Sequence, residues 1–434
     1  MMSKALISLL LLGSVMYAPS PLQILLAEAP SASSSVLNVK TYGAVCDWNV
    51  TGGTDDTKAF QAAIDAAHGL YTKTGSPITV LASNSCEITG TVNLLSGVTL
   101  SGPAKIVIPS QTAKTPRTTF LIEAADKVSI ENLEIDVLSN KCGNNAACSA
   151  IRYEGTSSDK AEHSGIYIRK NIIVDSAWGI FVRYVAGSGS LRDIDISSNT
   201  IKSTLTYTGS DGIHIAGRVS DFRITANKIV NRGDAAIAAT SEAPEYRCSH
   251  GIVRDNLLIE DLVGLDNGGC SDITYTGNHV KATATTGISN PAFRSYPYHD
   301  VKPTRVTIEG NSFENPSGSP DVAAKIDMAV VSKFIPDNTT ESIFTGNIIS
   351  SLYLRGSSIQ VRDNTFLPSA KLTLDYYGQA KIASTNNTIG PNTWQGQGSI
   401  TAGANPGLLG NNLLAPQFAN GAITITNGGN FVHP

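Results

Sequence analysis

The feature that most constrains this chain is a phrase that returns ten times after residue 126: an alternating run, an Asn, then an apolar pair or triplet. It reads SIENLEI around Asn132, YIRKNIIV around Asn171, DISSNTI around Asn199 and RITANKIV around Asn227. It continues as IVRDNLLI around Asn256, ITYTGNHV around Asn278, VTIEGNSF around Asn311, IFTGNII around Asn347, IQVRDNTF around Asn364 and IASTNNTI around Asn387. Successive spacings are 39, 28, 28, 29, 22, 33, 36, 17 and 23 residues, a scatter that insertions on individual turns explain. A unit of that size cannot bury its apolar side alone and must stack on its neighbours. Alternation at period two places every second side chain inside, so the unit reads as one coil of a parallel β-helix. Asn suits the left-handed backbone of a tight bend, and its amide can bond the same Asn one coil away.

Composition supports that reading. Charged residues make up only 16% of the chain against 39 glycines, the balance of an all-β protein with many short strands. With 41% apolar residues the chain can fill a long core, which excludes disorder. A formal charge of −4 leaves no basic footprint and argues against a nucleic-acid partner.

Stacked parallel coils leave an open sheet edge at each end that needs a cover. The segment TDDTKAFQAAIDAAH, Thr54 to His68, is a candidate helix for the N-terminal end. Thr54 would cap it, Asp55 and Asp56 suit its positive end, and Phe60, Ala63, Ile64 and Ala67 form one apolar face. The Gly- and Asn-rich stretch after Asn392 is expected to form a last irregular coil and a tail.

Lys4 followed by the apolar run Ala5 to Leu12, then small residues from Ala18 to Ser35, reads as a cleaved export signal. The run is too short to span a membrane, so no membrane contact is expected after cleavage. Residues 1–34 are therefore assigned to the signal and a flexible N-terminus, and 35–434 to one β-helix domain. Six cysteines, with no two-residue spacing typical of zinc or redox motifs, fit a secreted protein. Nearest-neighbour pairing is favoured, because the 22 residues from Cys248 to Cys270 are about one coil.

Each coil carries a further strand that begins with a small residue and Ile or Leu. Ile151-Arg152-Tyr153-Glu154 aligns with Ile180-Phe181-Val182-Arg183, Ile213-His214-Ile215-Ala216, Ile237-Ala238-Ala239-Thr240, Leu265-Asp266-Asn267-Gly268 and Ile288-Ser289-Asn290. First and third positions are mostly apolar and point inward, so second and fourth positions face solvent. That stacks Arg152, Phe181, His214, Ala238, Asp266 and Ser289 in one column, with Glu154, Arg183, Ala216 and Thr240 beside it.

The opening VKTYGAVCDWNVTGGTDDTKAFQAAIDAA resembles the N-terminal region of pectate-lyase-superfamily proteins, where GA-x-x-D-G-x-TDDT-x-A-x-Q-x-AID precedes the first coils. Here Trp48 to Gly52 interrupt the Asp-Gly step. The resemblance implies a pectin-lyase-like, right-handed, single-stranded parallel β-helix with an N-terminal capping helix, secretion, and a polysaccharide as partner. Asp211 in GSDGIHIAG and Asp234 in RGDAAIAA further resemble the polygalacturonase phrases NTDGID and GDDCIAI. The second Asp of the latter is Ala235 here, Asn-Thr is Gly209-Ser210, and the trailing Asp is His214. The family's Arg-x-Lys phrase is not evident.

Glycoside hydrolysis needs a carboxylic acid for the leaving oxygen and a second carboxylate for water or carbon. Asp211, Asp234 and Asp266 are the candidates, with Asp also at home in such turns as an acceptor of backbone amides. β-Elimination or epimerisation of a uronate instead needs a base beside a cation. His214 would be that base, with Arg183 and Arg218 binding the carboxylate. Arg152 and Phe181 complete the expected sugar-binding set. No cofactor is expected, except that a lyase could recruit calcium to the three aspartates. A non-catalytic carbohydrate-binding or surface β-helix is the third reading, and oligomeric state is not legible.

Overall fold

The computed structural model describes residues 36–432 apart from 113, 115–116, 144, 205–210, 283–290, 315–322, 328–338, 377–382, 405–407 and 427–430. The expected export signal lies outside the described residues, as do Gly209, Ser210, Ile288, Ser289 and Asn290.

The chain is a right-handed parallel β-helix. A typical coil has three short strands, as in Ile213–Gly217, Ser220–Thr225 and Lys228–Val230, each paired in parallel with its counterpart in Ala235–Thr240, Ser249–Arg254 and Leu257–Asp261. Alternation does the work expected of it: Ile196, Ile224 and Val253 stack in register and are fully buried. Inward positions of this and the other columns carry Phe222, Phe313, Phe344, Phe366 and Trp394, all fully buried.

The Asn bends hold one correction. The residue before each Asn takes the left-handed backbone: Lys170, Ser198, Ala226, Asp255, Gly277, Gly310, Gly346 and Asp363 all have φ between 54° and 65°. The Asn itself turns inward and builds a ladder. The Nδ2 of Asn171 donates to Oδ1 of Asn199 at 3.1 Å, and the bond repeats through Asn227, Asn256, Asn278, Asn311, Asn347, Asn364 and Asn392. Asn132 is not a rung; its own φ is 58°, which matches Lys170 rather than Asn171. Asn387 belongs to another bend, where it pairs with Asn412 at 3.0 Å. Asn392 replaces it, 28 residues after Asn364, restoring the common coil length.

The N-terminal cover is a helix, Thr57–Thr74, that buries Ala59, Phe60, Ala63, Ile64 and Ala67. It begins three residues later than expected. Asp56 takes the N-cap position without a side-chain cap bond, Asp55 before it accepts from Thr57 N at 3.1 Å, and Thr54 is held by Asp47. Asp56 instead turns back to accept from Val45 N and Cys46 N at 2.7 and 3.1 Å. Cysteines pair as nearest neighbours: Cys46–Cys86, Cys142–Cys148 and Cys248–Cys270. The segment beyond Asn392 is not a tail. Thr393–Trp394, Gly398–Ala402, Asn412–Leu414, Phe418–Ala419, Ile423–Thr426 and Phe431–Val432 carry the coils onward.

Candidate active site

The site face is the stack Ser149–Glu154, Trp178–Tyr184, Ile213–Gly217, Ala235–Thr240, Val263–Gly268 and Phe293–Tyr296. Its register matches the sequence alignment over five coils: Arg152↔Phe181, Phe181↔His214, His214↔Ala238 and Ala238↔Asp266. The sixth coil differs. Leu265 pairs with Phe293 and Asp266 with Arg294, so Phe293-Arg294-Ser295-Tyr296 takes the place expected for Ile288-Ser289-Asn290. Both segments start with a small residue and a large apolar one, and the insertion before Ala292 made the nearer match misleading. Outward positions are also less exposed than a bare strand would leave them, because side chains from neighbouring coils lean across: Phe181 is 6% exposed and Asp266 5%.

Asp211 and Asp234 stand in the bends that lead into two successive strands. Gly212 lets the chain pass, since a Cβ there would lie 2.5 Å from the Ala236 carbonyl oxygen. A buried arginine braces the corner. Arg232 donates through one terminal nitrogen to the carbonyls of Ser176, Ala177 and Asp211 at 3.1, 2.7 and 3.0 Å, and its own N–H reaches Asp261 at 2.7 Å. It thus ties four successive coils around the two aspartates. Sequence reasoning passed over it because arginine is rarely core.

Both Asp211 oxygens are engaged, one by Ala235 N at 2.9 Å and the other by His214 Nδ1 at 2.6 Å. His214 Nε2 meets Thr240 Oγ1 at 2.8 Å, and that hydroxyl gives its single proton to Glu242 at 3.0 Å. Thr240 therefore accepts from His214, and Asp211 only accepts, so the network assigns a proton to each ring nitrogen. Burial opposes that cation, but the bond to Asp211 and the charges of Asp211, Glu242 and Asp266 prevail and raise its pKa above the usual value.

Asp234 has a different environment. Its side chain is 39% exposed, and Arg294 approaches at 3.8 Å. Burial first, then the charges of Asp211 and Asp266, push its carboxyl up to about 6 against the pull of Arg294 and His214. The same Arg294 nitrogen donates to Asp266 Oδ2 at 2.7 Å, which brings the Asp234 and Asp266 carboxylates to one guanidinium. The other oxygen, Asp266 Oδ1, is buried with no hydrogen-bond partner among the described residues. A buried acceptor in that state is completed by a water or a substrate hydroxyl. Arg294, in Arg294-Ser295-Tyr296, is the cation that the sequence reading missed.

The remaining expected residues separate. Arg152 and Arg183 both bond Glu154, at 2.9 and 3.1 Å, and Arg152 lies over the Phe181 ring. Phe181 does not present its face to solvent; Trp178 packs on it with ring centres 5.0 Å apart. Arg218 is at the strand end, bonded to the carbonyls of Glu245 and Gly189 and stacked on Tyr246, away from the carboxylates' column.

No family model matches the sequence, and no curated protein matches it. Solved structures do. The A-module of a mannuronan C-5 epimerase from Azotobacter vinelandii is 14% identical with a TM-score of 0.53, covering 92% of this chain and 99% of its own. The Streptococcus pneumoniae surface protein and adhesin PfbA is 15% identical with a TM-score of 0.53, over 91% and 100%. A Thermotoga maritima exopolygalacturonase is 12% identical with a TM-score of 0.50, over 90% and 91%. The likeness is one of fold: the chain shares the right-handed parallel β-helix of these proteins. An epimerase, a hydrolase and an adhesin share it, so the reaction must be argued from the site.

Proposed function

We propose that the protein is a secreted glycoside hydrolase acting on a polysaccharide, with Asp234 as the general acid and Asp266 as the second carboxylate. The observation that carries the proposal is a pair of carboxyl groups, Asp234 and Asp266, brought to one guanidinium, with burial and neighbouring charges raising the Asp234 pKa to about 6. Asp234, with a pKa near 6, holds a proton available to a leaving oxygen, while Asp266 is ion-paired to Arg294. A carboxyl raised toward neutral pH beside a second carboxyl group is the pattern of a general acid and its partner. Asp211 fixes His214 and, through Ala235 N, the strand that follows Asp234. The epimerase or lyase reading asks His214 to act as a free base, and its two ring nitrogens are both committed as donors. Secretion is supported by three disulfides, which persist in oxidising compartments. No helix among the described residues is long and apolar enough to cross a membrane.

The test is incubation of the chain lacking its first 34 residues with uronate-containing and neutral polysaccharides, following reducing ends and the ultraviolet absorbance of unsaturated uronates together. Reducing ends without absorbance, abolished in Asp234→Asn and Asp266→Asn, are expected. Absorbance rising with the reducing ends would overturn the hydrolase assignment in favour of elimination.

A further inference from the structure

Trp178 occupies a position that neither the polygalacturonase-like phrases nor the carboxylate chemistry explains. The register Ile180↔Ile213 places it one coil before Asp211, in the same column. Its indole lies outside the coil, with ring centres 5.0 Å from Phe181 and 5.5 Å from His214. Phe181 and His214 are themselves 5.1 Å apart, so three rings form one cluster beside the Asp211–His214 pair. Phe181 is buried beneath the others, whereas Trp178 and His214 are only partly covered.

Behind Trp178 lies a small closed loop. The Cys142–Cys148 disulfide and Ala177 are buried and pack against it. The loop is itself pinned: Asn140 Oδ1 accepts from Cys142 N at 3.0 Å, its Nδ2 donates to Asp175 O at 2.9 Å, and Cys148 N donates to Asn145 O at 2.9 Å. A disulfide closing six residues behind an indole holds that ring at a fixed angle. On the rim stand Arg152, Glu154 and Arg183, whose mutual ion pairs leave polar edges near the cluster.

We propose that Trp178, set by the Cys142–Cys148 loop, is a stacking wall that takes the C–H face of one pyranose ring in the subsite next to Asp211. The inference rests on the carbohydrate reading above and names how that site grips its polymer. An indole offers a wide apolar face with a quadrupole that favours polarised C–H groups, which a flat aliphatic side chain lacks. Trp178, Asp211, Asp234 and Asp266 come from four successive coils, which lie ~4.8 Å apart. The polysaccharide accordingly runs along the helix axis, and the wall holds the sugar on the N-terminal side of the cleavage point.

The experiment is affinity electrophoresis of the disulfide-bonded protein through gels containing polygalacturonate, alginate or a soluble neutral α-glucan, with KM and kcat on any polymer that is cleaved. Trp178→Leu keeps apolar bulk without the π face, and Trp178→Phe keeps a smaller one; melting curves establish that both are folded. Trp178→Leu and the double variant Cys142→Ser/Cys148→Ser are each expected to weaken retardation about tenfold, and Trp178→Phe about threefold or less. On a cleaved polymer the loss falls in KM rather than kcat. Equal retardation of Trp178→Leu and the wild type overturns the wall. Retardation that depends on Trp178 in a protein that cleaves nothing supports the wall and removes the hydrolase assignment. A wild type retarded by no polymer overturns both.

Discussion

Asp234 stands among charges that disagree about its proton. Burial and the neighbouring Asp211 and Asp266 raise its pKa, Arg294 and His214 lower it, and the outcome is a value of about 6. With Asp234 as the acid, kcat/KM falls as pH rises through about 6, and a pH–rate profile checks it. Asp234→Asn should lower kcat by about 10²–10⁴-fold and remove that limb of the profile. The same shift has a consequence for stability. The folded state holds this proton more tightly than the unfolded chain, whose Asp titrates near ~3.9, so ionising Asp234 works against folding between those values and above. Asp234→Asn is therefore expected to raise the melting temperature at about pH 8 and not at about pH 3, readable from melting curves at the two pH values. Nothing in the phrase RGDAAIAA announces that pKa, because the charges that set it arrive from residues 20 and 23 positions earlier and 32 and 60 positions later.

The Asn bend is the element that makes one coil specify the next. Asn227 is buried, donates to Ile196 O and Asn256 Oδ1 at 2.9 and 3.0 Å, and accepts from Asn199 N and Nδ2 at 2.9 and 3.0 Å. Replacing it with Ala strands donors on one side and acceptors on the other, each costing about 1–3 kcal/mol when buried. Urea denaturation of Asn227→Ala should show a loss of about 2–4 kcal/mol. A loss under 1 kcal/mol would mean that water replaces the amide. The ladder was legible as a recurring Asn, while its geometry was not. Which of two adjacent residues takes positive φ depends on which side chain the core can accept, and Asn132 and Asn387 repeat the local phrase without sharing the rung.

Across the molecule the two ends differ. The N-terminal end is covered by Thr57–Thr74 and clipped by Cys46–Cys86, which closes a loop of 40 residues that holds the helix and the strand Ile78–Leu81. Among the last strands, Ile423–Thr426 is mostly exposed and Phe418 is 64% exposed. Stability in a solenoid is a sum of units and their nearest-neighbour contacts, so opening starts where contacts are fewest. Hydrogen exchange is expected to show the paired strands Gly398–Ala402 and Ile423–Thr426 exchanging well before the paired strands Ile78–Leu81 and Val98–Ile108. Cys46→Ser/Cys86→Ser should reduce that contrast, by removing about 4 kcal/mol from the clipped end.

The parallel β-helix, its capping helix, the disulfide pairing and five coils of the site register were all readable in the sequence. The coils and the site register follow from local periodicity, because a repeating unit converts local pattern into global position. The candidate site was only half readable. Asp211, Asp234, His214 and Asp266 come from aligned strands and were found, whereas Arg294 sits beyond an insertion that broke the alignment. Arg232 acts from a bend and Trp178 from the first residue of its strand, where period two no longer says which way a side chain points. What the tertiary structure alone decided was the sharing of Arg294 by two aspartates, the commitment of both His214 nitrogens, and the cover over Phe181. These are contacts between coils, set by distances across the stack that no spacing along the chain encodes.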